Sequence, residues 1–276
     1  MRILALCLLL FSWNLHAQDA DYQAALARQR PLLDAAFASL TPGVPGKVNL
    51  YLLAVAGDGS QEVFRREVEF VRAQFDRDFG TRGRSVALIN SRSTRGTAPM
   101  ATIASIREAL QAMAARMDRE NDVLFVFLTS HGSKEYEFRL HQEGTTLRGL
   151  RPGDLGQLLR ETGVRWKAVV VSACYAGGFL EPLKDERTLV IAAARRDRAS
   201  FGCADQNDFT WFGRAFFKDA LGASGSFGEA FDKAYALIDE RESQEKIAGA
   251  ERSLPQIHNP RPLDDHLRRW WSRFRP

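Results

Sequence analysis

The chain has 276 residues, 45% of them hydrophobic and 26% charged, with a net charge of +4. That length and composition suit one large globular domain with a proper core and give no clear case for two. So small a positive balance, with acids and bases interleaved as in Arg65-Arg66-Glu67-Val68-Glu69, excludes a strongly basic nucleic-acid stripe and describes solvated helix faces.

Arg2 precedes an apolar run over residues 3–10, which continues through Phe11 and Trp13 and closes on Leu15-His16-Ala17. This reads as a secretory signal peptide over residues 1–17, with an uncleaved anchor as the alternative. The run is too short for a comfortable transmembrane span with flanks. The expectation is an exported protein, periplasmic or secreted, with no stable membrane insertion after cleavage. Cleavage would remove Cys7 and leave Cys174 and Cys203, which an oxidising compartment could join in one bridge.

Residues 18–46 read as a helical segment and linker: Ala24, Leu26, Leu32, Leu33, Ala36 and Leu40 fall among charges around Pro31, and residues 41–46 are turn-rich. The main domain, with its C-terminal tail, spans residues 47–276. Residues 48–56 read as the first core strand. Phe64, Val68, Val71, Phe75 and Phe79 then recur at helical spacing, and a second strand covers 85–89. Ile103, Ile106, Leu110, Met113 and Met117 form a stripe that packs as core. The segments 135–140 and 145–147, parted by Gly144, are expected to form a small hairpin. Leu155, Leu158 and Leu159 mark a short helix, 188–193 another buried strand, and Trp211 to Leu221 an aromatic helix. Ser226 and Glu229 have capping-box spacing at the start of a last long helix. The basic, aromatic tail with Trp270, Trp271 and Phe274 is expected to pack on the core, ahead of touching a membrane.

Strand and helix alternate at least four times, so the economical fold is an α/β layered sandwich with a mainly parallel central sheet. Two strands are distinctive. Residues 123–128 (VLFVFL) are apolar without a break, as in a strand buried on both faces, and end in Thr129-Ser130-His131-Gly132. Residues 168–171 repeat the pattern and end in Ser172-Ala173-Cys174. Ligands of open parallel sheets sit outside the carboxyl ends of the strands. Side by side, these two strands would put His131 and Cys174 over one cleft. An imidazole beside a thiol raises the fraction of reactive thiolate. Gly177 and Gly178 permit a tight turn whose N–H groups, with those of Cys174 and Gly132, would hold an oxyanion. Either residue alone would more often be structural; the pair reverses the odds.

The blocks Thr129-Ser130-His131-Gly132-Ser133 and Ser172-Ala173-Cys174, each after its hydrophobic strand, resemble the signature blocks of the legumain-type cysteine peptidases (peptidase family C13). These share the caspase fold and include the transamidase that attaches lipid anchors. The likeness extends over most of residues 47–221, including Val55-Ala56-Gly57 and Phe64-Arg65-Arg66. It implies a caspase-like three-layer sandwich with helices on both faces of the sheet. His131 would be the general base, Cys174 the nucleophile, and the backbone of Gly132 and Cys174 the oxyanion donors. Substrate contacts would fall to Arg65, Ser172, Ser200 and Asp208. An acidic pocket residue of the family falls near Arg214 here, and an asparagine that supports the family's histidine has no counterpart beside Val63. A cationic pocket floor would favour cleavage after Asn or Asp.

The expectation is therefore a secreted cysteine endopeptidase acting on a peptide or protein through an acyl-enzyme, with no metal, no cofactor and no nucleic-acid partner. A transpeptidase or ligase using the same dyad is the alternative, as is a non-catalytic caspase-fold binding module, which a Cys174–Cys203 bridge would favour. Serine and metal hydrolase motifs are absent from the sequence. Oligomeric state is left open.

Overall fold

The computed structural model describes residues 26–271, so the expected signal peptide and Phe274 lie outside the described residues. Six strands form one sheet in the order β2-β1-β3-β4-β5-β6. They are β1 (Leu50–Ala56), β2 (Ser85–Ile89), β3 (Val123–Thr129), β4 (Trp166–Ser172), β5 (Thr188–Ala192) and β6 (Gln256–His258). The first five are mutually parallel, and β6 runs antiparallel to β5 at the edge. β1, β2, β3 and β5 are buried along their whole length, which is what unbroken apolar runs in a two-sided parallel sheet require.

The side-chain period of two divides the core into two layers. Leu50, Leu52, Ala54, Phe125, Phe127 and Val170 face one layer; Tyr51, Leu53, Val55, Leu124, Val126 and Val169 face the other. Helices α1 (Gln29–Ala38), α3 (Ile103–Ala114) and α4 (Pro152–Glu161) cover the Tyr51 side. The Leu52 side is covered by α2 (Glu62–Asp78), by α7 (Phe227–Gln244) and by α8 (Arg261–Trp271). A short helix α5 (Leu180–Leu183) precedes β5, and α6 (Trp211–Gly213) widens into a π-helical turn, Arg214–Ala220, where one uninterrupted α-helix was expected. The result is a three-layer α/β sandwich of the caspase-like kind, as expected. Burying each Leu, Val or Phe here stabilises it by ~1.5–3 kcal/mol.

Trp270 and Trp271 are buried in the core on α8, Trp271 donating its indole N–H to the Ser224 carbonyl at 3.1 Å. Among the described residues no helix is long and apolar enough to cross a membrane. The hairpin expected over 135–147 is not formed. Phe138 instead pairs through its backbone with Leu150 and Gly132, because its buried ring anchors the segment in the core.

Candidate active site

The parallel register decides where the two reactive side chains lie. Thr129 at the end of β3 pairs with Ser172 at the end of β4, and each chain continues two residues, to His131 and to Cys174. The Ser130 N–H donates to the Ser172 carbonyl at 3.1 Å, keeping the two exits together. Beyond it the backbones close up further: a Cβ on Gly132 would come within 2.1 Å of the Cys174 carbonyl oxygen. Glycine is needed there by contact, and both His131 and Cys174 remain partly exposed.

His131 is held by the first turn of α2 and the residue before it. Its Nε2 lies 2.8 Å from the Gln61 Oε1, and its ring meets Phe64 edge-on at 5.2 Å. An amide oxygen accepts, so it fixes the proton on Nε2 and leaves Nδ1 as the basic nitrogen. Burial holds the imidazole below its ordinary value; the negative charge of Asp58 opposes this and the Arg139 guanidinium reinforces it. Gln61, in the loop after β1, is thus the side-chain partner of His131, where the sequence offered no asparagine beside Val63. Sequence reasoning missed it because it lies two residues before Val63 and its side chain is one methylene longer than an asparagine's.

Cys174 sits in a sharp turn. Tyr175 directly after it is left-handed, with φ of 58°, a conformation that costs a residue with a Cβ about 1–3 kcal/mol. The Tyr175 N–H is tied to the Arg198 carbonyl at 2.8 Å. The Ser200 N–H points at the Cys174 Sγ at 3.3 Å, and the thiol faces the Ser200 carbonyl at 3.5 Å. Burial pushes the Cys174 thiol up, against the pull of the Ser200 backbone. Both directions favour the uncharged forms, a neutral thiol and a neutral imidazole.

Among the described residues, neither the Gly132 nor the Cys174 N–H is taken by a carbonyl or side chain of another residue. The Gly177 and Gly178 donors expected beside them are committed: Gly177 N–H to the Ala194 carbonyl at 2.8 Å and Gly178 N–H to the Tyr175 carbonyl at 3.0 Å. Their smallness serves packing, Gly177 against the backbone at Arg196 and Gly178 against the Tyr136 ring.

Residues 105–259, more than half of the chain and inclusive of both reactive side chains, match the profile of the Peptidase C13 family. The chain belongs to the Peptidase C13 family. A search of the curated proteins finds no match. Membership makes this a cysteine peptidase of the legumain type in general terms; the matched span begins after β2, so Gln61 and all of α2 lie outside it.

The substrate-contact residues expected of a C13 peptidase are dispersed. Ser200 reaches the site through its backbone, as described. Arg65 is not a free cation, since its guanidinium bridges Glu62 at 2.5 Å and Glu69 at 2.6 Å. Ser172 is buried, and its hydroxyl meets Thr210 Oγ1 at 3.0 Å, beneath the site instead of lining it. Asp208 is largely exposed and pairs with Arg66 at 3.4 Å. Arg66 also donates to the Asp205 and Asn207 carbonyls and so pins the loop before α6. Arg214 pairs with Asp219 at 3.4 Å.

Cys174 and Cys203 are both free thiols. Burial, with the charges of Cys174, Glu67 and Asp58 behind it, pushes the Cys203 thiol up to about 12, so it is no second nucleophile. The free state of Cys174 also removes the bridge that would have favoured a non-catalytic module.

Proposed function

We propose that this C13 peptidase is an exported cysteine endopeptidase that works through a Cys174–His131 dyad and a thioester acyl-enzyme. The observation that carries the reading is the shared register, two residues past the Thr129–Ser172 pair, which brings both side chains to the mouth of the same pair of strands. His131 Nδ1 takes the Sγ proton as sulfur attacks the carbonyl carbon. The oxyanion accepts from the Gly132 and Cys174 N–H groups, each worth about 3 kcal/mol in the transition state. Collapse expels the amine, which receives the proton from His131. Water, deprotonated by the same nitrogen, then cleaves the thioester; an amine in place of water would give transpeptidation.

The residue before the cleaved bond is read as Asn in preference to Asp. Arg65, Arg66 and Arg92 on this side are balanced by Glu62, Glu69, Asp205 and Asp208. A mixed-charge surround suits a neutral amide, which both donates and accepts, better than a carboxylate. Export is supported by the pattern of residues 1–17. A panel of peptides varying that residue, with and without an added amine, tests the dyad, the residue preference and hydrolysis against transpeptidation. Turnover greatest after Asn, released as free acid and absent in Cys174→Ala, is the expected result; turnover surviving in the variant would end the reading.

A further inference from the structure

Glu67 is one of the buried ionisable groups that this mechanism leaves unused. It lies on α2, fully buried, three residues past the Phe64 that edges His131. Its Oε1 accepts from the Thr210 N–H at 3.1 Å and the Thr210 hydroxyl at 2.8 Å. Because that hydroxyl hydrogen is spent on the carboxyl, Ser172 is the donor in its 3.0 Å contact with Thr210 Oγ1. Ser172 ends β4, two residues before Cys174. On the other side Thr129 ends β3, two residues before His131. Its hydroxyl and the Glu67 Oε2 are both buried and, among the described residues, make no hydrogen bond. A Cβ on Gly213 would fall 1.6 Å from Oε1, so a glycine at the end of α6 is what admits the carboxyl at all.

Among the described residues no cation answers this charge. Arg65 and Arg66 of the same helix turn to Glu62, Glu69 and the loop before α6. Arg214 beyond Gly213 turns to Asp219, and the loop after β5 contributes only the neutral Cys203 thiol. His131 and Cys174 stand beyond the two strand ends. A buried carboxylate without a countercharge is strongly disfavoured, so the group is neutral or it draws in water.

We propose that Glu67 is a positioning residue of the peptidase site: its carboxyl ties the end of β3, at Thr129, to the end of β4, through Thr210 and Ser172, and so holds His131 against Cys174; ionisation, which these donors favour, tightens that tie. The inference rests on the peptidase reading of the dyad. Burial pushes the Glu67 carboxyl up to about 7, which places the change in the working range of such an enzyme.

The test is the rate at which iodoacetamide alkylates Cys174, located by peptide mass spectrometry, from about pH 5 to about pH 9. In Glu67→Gln the amide oxygen keeps both Thr210 donations and the NH2 stands where the protonated oxygen would be, so the variant is locked in the neutral form. The rates of the two proteins should coincide at the acid end. The wild type should run ahead by about tenfold at the alkaline end, along a one-proton curve centred near 7. Thr129→Val is the second variant: the Thr129 hydroxyl favours the ionised carboxyl, so its loss should move the centre of the curve upward relative to wild type. A wild-type-to-Gln ratio constant with pH, as a merely structural role would give, overturns the proposal, as does a centre indifferent to Thr129→Val. Peptide turnover run in parallel separates the two readings. A Glu67-dependent break in alkylation without any turnover leaves the tie standing and removes the peptidase; turnover without the break does the reverse.

Discussion

The imidazole Nε2 of His131 rests 2.8 Å from the amide oxygen of Gln61, a residue outside the span matched to the C13 family. The contact fixes which nitrogen carries the proton and which way the ring faces. Replacement by Ala leaves the imidazole free to take the wrong tautomer. Gln61→Ala should lower kcat by about ten- to hundredfold, within the range a positioned base contributes. KM should change little, because the residue touches no substrate in this account. Steady-state kinetics check this, and an unchanged kcat would remove Gln61 from the site.

The pH profile follows from the neighbours of His131. Burial lowers its pKa, so the acid limb of kcat/KM should lie below the ordinary imidazole midpoint of about 6.5. Arg139 contributes to that lowering while half-exposed on the far side of Asp58. Arg139→Gln removes a positive charge, favours the protonated ring and should move the limb upward. Solvent screening keeps the shift to a fraction of a unit. A limb that moves downward contradicts the assignment.

Gly132 answers for the close approach of the two strand exits. In Gly132→Ala the new Cβ meets the Cys174 carbonyl at 2.1 Å, backbone that cannot turn aside as a side chain would. The exits must part, taking an oxyanion donor with them. Loss of about a hundredfold or more in kcat is expected, with a lowered Tm. Wild-type turnover in this variant would show that the donor lies elsewhere.

Stability should carry the mark of Glu67. Its folded pKa, raised by burial to about 7, lies above an unfolded value of about 4.5. The folded state thus binds more protons than the unfolded one between those values. Stability should fall as pH rises from about 4.5 through about 7, and be level above. Glu67→Gln abolishes that slope and should exceed wild type in urea denaturation above neutrality, by on the order of 3 kcal/mol at most, with no gain at acid pH. A variant equally destabilised at every pH would contradict the raised pKa.

Much of the fold was open to reading from sequence because the central strands are buried on both faces. Runs such as VLFVFL over residues 123–128 and the stripe from Phe64 to Phe79 have few other physical uses. The antiparallel β6 was not foreseen, since Gln256, Ile257 and His258 are too short and too mixed to show a period. The Phe138 loop was misread as a hairpin because alternation cannot say whether a segment pairs with its neighbour or docks one ring. His131 and Cys174 stood out because each ends an apolar run with its chemistry. Gln61 and Glu67 did not: one is a polar loop residue beside α2, the other a single acid in a charged stretch, and only the sheet brings them beneath the strand ends. The pairing of Arg65 with Glu62 and Glu69 on one helix face was likewise not read from the sequence.

The most direct measurement is to locate the acyl group. A peptide ester substrate is mixed with the enzyme, quenched in acid, and the chain is mapped by mass spectrometry. The account predicts one added acyl mass, on the peptide bearing Cys174, labile to hydroxylamine as a thioester, and absent in Cys174→Ala. An acyl group on another residue, or steady turnover with Cys174 never modified, would contradict it.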